Sequence, residues 1–228
     1  MNSPFLRIGH RGACGYEPEN SLRSFKKALT LKVDMIELDV QLCRSGELVV
    51  IHDSKVDRTT DGIGSVAKKS LEQLKKLDAG KGGSIPLLPE VLDLVDNRII
   101  VNIELKGKRT AEPVSVLIKK YLHKGWDKDN FLLSSFSREE LIDARENSPN
   151  LNIGVNITSL KKDTMQFARS LGACSIHPSL QITTKKLVDE IHRQGMKVFV
   201  WTVNEEKDIA RTKEINVDGC FSDYPDRL

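Results

Sequence analysis

The stretch Lys185–Val203, with the sequence KKLVDEIHRQGMKVFVWTV, contains one complete unit of a helix followed by a strand. Leu187, Val188 and Ile191 recur at the spacing of one helical face, which predicts an amphipathic helix with one side on a sheet. Gly195 then marks the end of that helix, because glycine takes the left-handed C′ conformation at little cost. The apolar run that follows it predicts a strand.

The same order recurs through the second half of the chain. The predicted helices Pro113–Lys124 and Leu160–Leu171 are followed directly by Gly125 and Gly172. A helix that returns the chain to the same end of a sheet requires parallel strands, so these units predict a parallel sheet. Strands are predicted at Phe5–His10, Met35–Leu42, Ile99–Glu104, Phe131–Ser135, Asn152–Asn156, Cys174–His177, Lys197–Val203 and Gly219–Ser222.

About eight parallel strands with outer helices predict an α/β fold, the (β/α)8 TIM barrel, whose active site lies at the carboxyl ends of the strands. A doubly wound parallel sheet is the alternative that the same pattern allows. The length is that of one barrel, and we expect residues 1–228 to form a single catalytic domain.

One segment departs from the repeating units and predicts a β-hairpin. Only Cys43–Gly46 separates the strand Met35–Leu42 from a second apolar run, Glu47–His52. Four residues cannot form a parallel crossover, so these strands must pair antiparallel. A turn centred there brings His52 opposite Asp39, to within one or two residues. The turn-rich segment that follows, at about 53–84, predicts a small insertion above the barrel mouth, with a short helix near Leu71–Leu77.

Composition and charge limit the classes of partner. The net charge of +3 is small and its charges are mixed along the chain, so we expect no nucleic-acid partner. The four cysteines form no CxxC pair, which indicates free thiols in a reducing compartment. Met1–Pro4 runs directly into the first predicted strand, and no apolar run approaches the length of a membrane span. We therefore expect a cytoplasmic protein without stable membrane insertion; no sequence signal sets an oligomeric state.

Acidic side chains alternate with apolar ones on two of the predicted strands. In IELDV at 36–40, Glu37 and Asp39 project from one strand face, and Glu104 lies at a similar depth on the Ile99 strand. Carboxylates that point into a barrel are costly to keep ionised unless a cation lies between them. Oxygen donors without sulfur suit Mg²⁺ or Ca²⁺. Ion pairs with lysines at a solvated rim are the alternative for Glu37 and Asp39.

Two histidines follow predicted strands at the same end of the barrel. His10 ends the first strand, and His52 ends the hairpin across from Asp39. Beside a metal-bound phosphate, one imidazole can activate a nucleophile while the other protonates the leaving group. Arg11 supplies a fixed cation for phosphoryl oxygens. The competing interpretation makes both histidines metal ligands, and the absence of a His-x-His pair argues against it.

Three further side chains are predicted near the mouth. Lys106 either binds a phosphate oxygen or neutralises Glu104, and these two roles are compatible. Trp201 forms an apolar wall at the mouth or, equally, a core aromatic. His177 ends its strand and is expected at the rim of the pocket.

Motifs along the whole chain resemble the glycerophosphodiester phosphodiesterase family. They are His10-Arg-Gly-Ala, Glu17-Pro-Glu-Asn20, Glu37-Leu-Asp39, Val49-Val-Ile-His-Asp53, Arg58-Thr-Thr-Asp-Gly62, Glu104-Leu-Lys106, Ser134-Ser-Phe136, Val200-Trp-Thr-Val203 and the segment Gly219–Pro225. Ser21 departs from the threonine that is common after Pro-Glu-Asn, and serves similarly at a helix N-terminus.

The resemblance implies a (β/α)8 barrel that hydrolyses glycerophosphodiesters to sn-glycerol 3-phosphate and an alcohol. The resemblance also implies that His10 and His52 are the acid/base pair and that a single divalent cation binds between carboxylates. The implied metal ligands are Glu37, Asp39 and Glu104, and the implied substrate contacts are Arg11, Lys106 and Trp201. A phosphodiesterase for lysophospholipids and a catalytically silent barrel that only binds phosphodiesters are the alternatives.

Overall fold

The structure, a computed structural model, describes residues 5–228. Met1–Pro4, which the sequence analysis placed directly before the first strand, lie outside the described residues. The strands are β1 (Leu6–Gly9), β2 (Met35–Leu42), β3 (Leu48–Val50), β4 (Ile100–Leu105), β5 (Phe131–Ser135), β6 (Asn152–Ile157), β7 (Ser175–Pro178), β8 (Lys197–Val200) and β9 (Gly219–Ser222). The helices are α1 (Leu22–Thr30), α2 (Leu71–Lys75), α3 (Leu88–Val95), α4 (Ala111–His123), α5 (Arg138–Asn147), α6 (Thr164–Ser170), α7 (Lys185–Arg193) and α8 (Glu206–Glu214).

Eight of the strands close into a parallel barrel. Strand β1 pairs with β9 on one side and with β2 on the other, so the sheet has no free edge among these strands. The remaining strand, β3, lies outside the closed ring and pairs antiparallel with β2. The predicted (β/α)8 barrel is therefore confirmed, and closure excludes the doubly wound sheet, which would leave two edges open.

Strand β2 shows how the sequence alternation divides the core into two layers. Its outward residues Ile36, Leu38 and Val40 pack in the apolar cluster between the sheet and the helices. Met35 points instead into the lumen, where it belongs to a separate small apolar cluster at the bottom of the barrel. The same inward face continues upward with Glu37 and then Asp39. Apolar residues thus fill the lumen below, and carboxylates follow above them.

The hairpin has the predicted geometry. Val40 pairs with Val50, and the backbone nitrogen of Ile51 donates to the carbonyl oxygen of Asp39 at 2.9 Å. His52 follows one residue beyond this pair, within the expected tolerance. Gly46 closes the turn at φ +94°, a conformation that glycine adopts without strain.

The insertion after the hairpin packs on the outer face of β3. Val49 and Ile51 contribute to an apolar cluster with Val56, Val66 and Leu74, which is separate from the main core. The short helix α2 begins at a capping box formed by Ser70 and Gln73. The insertion is therefore anchored by its own buried side chains next to the loop that carries His52.

Element boundaries differ most from the prediction at two places. Helix α6 begins at Thr164, four residues after the predicted Leu160, whose side chain is exposed. Strand β8 ends at Val200, and Trp201 makes only an isolated bridge to Ser179. Within residues 5–228, the structure contains no helix with the length and apolar character that crossing a bilayer requires.

Ile103 tests the packing of the sheet against its helices. It is fully buried on the outward face of β4. We expect Ile103→Ala to lower the free energy of unfolding by about 2–5 kcal/mol, because it loses buried apolar area and leaves a cavity. Urea unfolding measures this. Val116→Ala, at an exposed position of α4, is the matched control and should change stability by less than about 0.5 kcal/mol.

Candidate active site

A cavity of about 580 Å³, counted to its open mouth, lies at the carboxyl ends of the barrel strands. Its lining combines aromatic rings with a few charged and polar side chains, as small-molecule sites do. Every residue predicted to act in catalysis, cation binding or substrate binding lines it except Asp39, which is buried beside Glu104. The lining residues are His10, Arg11, Glu37, His52, Asn102, Glu104, Lys106, Phe136, Asn156, Trp201 and Phe221.

Three carboxylates meet in this cavity. Glu37, Asp39 and Glu104 are all buried, and one oxygen of each lies within 4.8 Å of the others. Asp39 and Glu104 are register partners across β2 and β4, while Glu37 lies one level deeper. The predicted convergence of these side chains is therefore present. Its origin is the strand alternation, which points every second residue of β2 and β4 into the lumen.

Burial and mutual repulsion make the carboxylates poor anions on their own. Burial, with the charge of Asp39, raises the pKa of Glu104 to about 7 against the opposing effect of Lys106. The pKa of Glu37 is also raised, first by burial and then by Asp39 and Glu104. A bound cation would remove both penalties, and three oxygen donors form a possible site for a hard divalent ion.

Neighbouring polar groups contact the carboxylates of this cluster. Lys106 Nζ donates to Glu104 Oε1 at 2.8 Å and lies 3.8 Å from Asp39 Oδ1. The amide of Asn20 donates to Asp39 Oδ2 at 2.8 Å. Asn102, beside Glu37, keeps a buried oxygen Oδ1 that accepts no hydrogen bond within the described part of the chain. These contacts orient the carboxylates. The clustered carboxylate oxygens and the buried, unpaired oxygen of Asn102 are donors of the kind that a hard cation binds, so the residues fit a cation.

Arg11 is fixed by acidic partners. Its backbone nitrogen donates to Glu37 Oε2 at 2.9 Å, in a left-handed conformation with φ 51°. Its guanidinium donates to Glu19 Oε1 at 2.8 Å, and Nε lies 3.4 Å from Asp39 Oδ2. The guanidinium is therefore held at the cavity wall by Glu19 and Asp39, while Glu37 fixes the backbone of Arg11.

His10 is held by a hydrogen-bond network at the end of β9. Its Nδ1 lies 2.7 Å from Asp223 Oδ1. The same carboxylate accepts from Cys14 Sγ at 2.9 Å and from Asn204 Nδ2 at 2.7 Å. Burial acts to raise the pKa of Asp223, but the hydrogen bonds from His10, Cys14 and Asn204 outweigh it and hold that pKa well below its usual value. Asp223 is thus ionised and fixes the imidazole of His10.

His52 is held in the same way by its own sequence neighbour. Its Nδ1 lies 2.5 Å from Asp53 Oδ1. Arg58, from the insertion, donates to Asp53 Oδ2 and to Glu19 Oε2, each at 2.7 Å. The hydrogen bond from Arg58, with that from His52, holds the pKa of Asp53 well below its usual value. Burial lowers the pKa of His52, against the opposing effect of Asp39 and Asp53.

Both imidazoles therefore have the same chemical form. An ionised carboxylate can only accept a hydrogen bond, so Nδ1 of His10 and of His52 carries a proton. In the neutral state, Nε2 is left with its lone pair. Each ring can accept a proton at Nε2 and donate it again, which is the requirement for acid–base catalysis.

His177 does not lie at the pocket rim, and that prediction is wrong. The side chain has no exposed surface, because it points into the lumen below the cavity. Burial lowers its pKa to about 3, so it is neutral. Its Nδ1 bonds to Asn156 Oδ1 at 2.8 Å, and Asn156 Nδ2 donates to Glu104 Oε2 at 3.1 Å.

Trp201 lies both in the apolar core and on the cavity wall, the two positions that the sequence allowed for it. It packs on the lumen cluster and lines the cavity, and its Nε1 donates to the carbonyl oxygen of His177 at 2.8 Å. Phe136 contacts it edge-on, with ring centroids 5.4 Å apart, and is exposed. The two rings form one apolar wall of the cavity.

Sequence reasoning missed the residues that hold the histidines. Asp223 is far from His10 in the chain. It lies in the segment Gly219–Pro225, which the sequence analysis identified only by its resemblance to the family. Arg58 and Glu19 also lie in motifs that carry the family resemblance, but the sequence did not show what their side chains contact. The acidic residue directly after His52 was visible, but its contact with the ring depends on the loop conformation.

The closed barrel, with paired imidazoles and converging carboxylates at its mouth, places the chain among the (β/α)8-barrel hydrolases. The sequence model of the glycerophosphoryl diester phosphodiesterase family matches residues 10–227. The chain therefore belongs to that family and is a phosphoric diester hydrolase.

Individual relatives and solved structures agree with this assignment. A glycerophosphodiester phosphodiesterase of Caldanaerobacter subterraneus subsp. tengcongensis is 39% identical over 98% of this chain and 96% of its own. One from Bacillus altitudinis is 35% identical over 96% of this chain and 95% of its own. The structure of a phosphodiesterase from Oleispira antarctica, in complex with the product sn-glycerol-3-phosphate, superimposes with a TM-score of 0.91 at 30% identity, covering 99% of this chain and 95% of that one.

The crowded carboxylates should lower stability when no cation is supplied. Above the ordinary carboxylate pKa, Glu37 is ionised in the unfolded chain, whereas the folded state disfavours its charge. We expect Glu37→Gln to raise the free energy of unfolding by at least about 1 kcal/mol near neutral pH. The gain should shrink as the pH falls and Glu37 becomes protonated.

Urea unfolding in the presence of a chelator measures this difference. Glu214→Gln, at an exposed position of α8, is the control for loss of one negative charge. A Glu37→Gln variant that is less stable than the unchanged protein under these conditions would contradict the assigned cause.

Proposed function

We propose that this enzyme hydrolyses small, water-soluble glycerophosphodiesters to sn-glycerol 3-phosphate and an alcohol, with His10 and His52 as the acid/base pair. One divalent cation, Mg²⁺ or Ca²⁺, is bound by Glu37, Asp39 and Glu104. The observation that carries the proposal is the matched pairing of both imidazoles with ionised carboxylates on the wall of one cavity. The bound product in the Oleispira antarctica relative supports the substrate class.

The two histidines differ in a way that suggests separate roles. Burial lowers the pKa of His52, which favours the neutral ring and hence the role of proton acceptor from the nucleophile. His10 is then the proton donor to the leaving alkoxide. Asp223 and Asp53 hold the proton on each Nδ1 and so keep each Nε2 directed away from its carboxylate partner.

The remaining residues bind and orient the substrate. When bound, the cation neutralises the carboxylates and draws electron density from a phosphoryl oxygen. The guanidinium of Arg11 and the ammonium of Lys106 contact the other phosphoryl oxygens, which the negative charge of a phosphodiester favours. Phe136 and Trp201 exclude water from one side and offer an apolar surface to the glycerol or head group.

Removal of either imidazole tests the acid/base assignment. We expect His10→Ala and His52→Ala each to lower kcat by about 100- to 10,000-fold, because a positioned acid or base is lost. Rates are measured with glycerophosphocholine, glycerophosphoethanolamine, glycerophosphoglycerol and glycerophosphoinositol. His123→Ala, at an exposed position of α4, is the matched control. A His52→Ala enzyme with nearly unchanged kcat would refute the assignment.

The same substrate panel decides between the alternatives. A lysophospholipid that is turned over faster than its deacylated counterpart would favour the lysophospholipase D-like activity, for which the wall of Phe136 and Trp201 offers an apolar surface. Binding of all diesters without turnover of any of them would indicate a silent barrel.

Chelation tests the cation. We expect activity to be lost in excess chelator and restored by Mg²⁺ or Ca²⁺, because the carboxylates need a counter-charge to orient a phosphodiester. Glu104→Gln should weaken the restoring effect. Full activity in excess chelator would exclude the proposed role of the three carboxylates.

The pH dependence of kcat/KM tests which histidine accepts the proton. Below its pKa, His52 is protonated and cannot act as a base, so the rate falls as the pH is lowered. Because burial lowers that pKa from its ordinary value of 6.5, the acid limb should have its midpoint below pH 6.5. A midpoint above 6.5 would argue against His52 as the base.

A further inference from the structure

Three buried polar side chains form a chain of hydrogen bonds behind Glu104. Asn156 Nδ2 donates to Glu104 Oε2 at 3.1 Å, and Asn156 Oδ1 lies 2.8 Å from His177 Nδ1. His177 Nε2 in turn lies 2.8 Å from the hydroxyl of Ser175. His177 and Ser175 are fully buried, and neither lines the cavity.

The direction of this chain is set at the carboxylate end. An ionised Glu104 can only accept, so the amide nitrogen of Asn156 must face it and the amide oxygen must face His177. That oxygen requires a proton on His177 Nδ1. The lone pair of Nε2 then accepts from the Ser175 hydroxyl. Only one arrangement of protons satisfies every member.

Both carboxylate oxygens of Glu104 accept hydrogen bonds, one from Lys106 and one from Asn156, and these two donors differ in rigidity. Lys106, a long side chain about one quarter exposed, contacts Oε1. Asn156, backed by the buried ring of His177, contacts Oε2. The buried contact is the more rigid one, because both of its members are enclosed by the sheet.

Gly154 shows that space in the barrel is reserved for the ring. A Cβ at this position of β6 would lie 2.4 Å from His177 Cε1 and 2.5 Å from Nε2. The backbone of Gly154 does not have a positive φ, so conformational freedom does not require the glycine. The absent side chain is what allows the imidazole to lie across β6 and reach Asn156.

We infer that Ser175, His177 and Asn156 are positioning residues that fix Glu104 in the orientation needed to bind the cation. The inference rests on the proposed cation site. Ligand orientation by outer hydrogen bonds typically changes metal affinity by about 10- to 100-fold. His177 therefore acts on the cation without touching it.

The test is a calorimetric titration of the purified full chain with Ca²⁺ and with Mg²⁺, without substrate. We expect Asn156→Ala, Gly154→Ala and His177→Leu each to weaken binding by about 10- to 100-fold. His177→Asn keeps a donor at the place of Nδ1–H and should restore most of the affinity. Thr212→Val, which removes a buried hydroxyl far from the cavity, should bind as the unchanged chain does.

The outcomes separate this inference from the proposed function. Unchanged affinity in folded Asn156→Ala and Gly154→Ala would overturn the positioning role. If His177→Leu does not fold, these two variants decide, because both keep the histidine itself. Asn156→Ala removes its link to Glu104, and the new Cβ of Gly154→Ala displaces the ring. Glu104→Gln is measured alongside them. Unchanged affinity in that variant would overturn the cation site itself, and the inference with it.

Discussion

The repulsion among three buried carboxylates at the mouth of the barrel is the constraint on which the rest of the site depends. Glu37, Asp39 and Glu104 are buried within a few ångströms of one another. Burial, with the charges of the neighbouring carboxylates, raises the pKa of Glu37 and of Glu104, so keeping these side chains ionised costs stability. The positive charges of Arg11 and Lys106 oppose this rise of the pKa but do not overcome it. The carboxylate cluster therefore lowers the stability of the fold and at the same time favours the binding of a cation.

The histidines depend on the same frame through different elements. Asp223, at the end of the last strand, fixes His10 at the end of the first, because β1 and β9 are neighbours in the closed sheet. Asp53 fixes His52, and Arg58 links that pair to Glu19. Barrel closure and the packing of the insertion thus determine the directions of both imidazoles. A family that hydrolyses phosphodiesters needs this precision, because proton transfer falls steeply with misalignment.

Local patterns in the sequence carried much of this organisation. The helix–glycine–strand units predicted parallel strands, and four residues between two apolar runs predicted the hairpin that brings His52 back to Asp39. Alternation on β2 and β4 separated the lumen from the outer core. These inferences succeed because spacing along one strand or helix determines which side chains share a face. The roles of the site residues remain proposals that the experiments above address.

Contacts between distant strands were beyond such reasoning. His177 was expected at the rim and is buried instead, since its level in the barrel depends on the stagger between strands. The link from His177 through Asn156 to Glu104 crosses three strands, and no spacing within the sequence reports it. By itself the sequence determined the elements, their order and the residue types that gather at the mouth. Only the tertiary structure decided which carboxylate holds which imidazole and what lies behind Glu104, because closure of the barrel sets those distances.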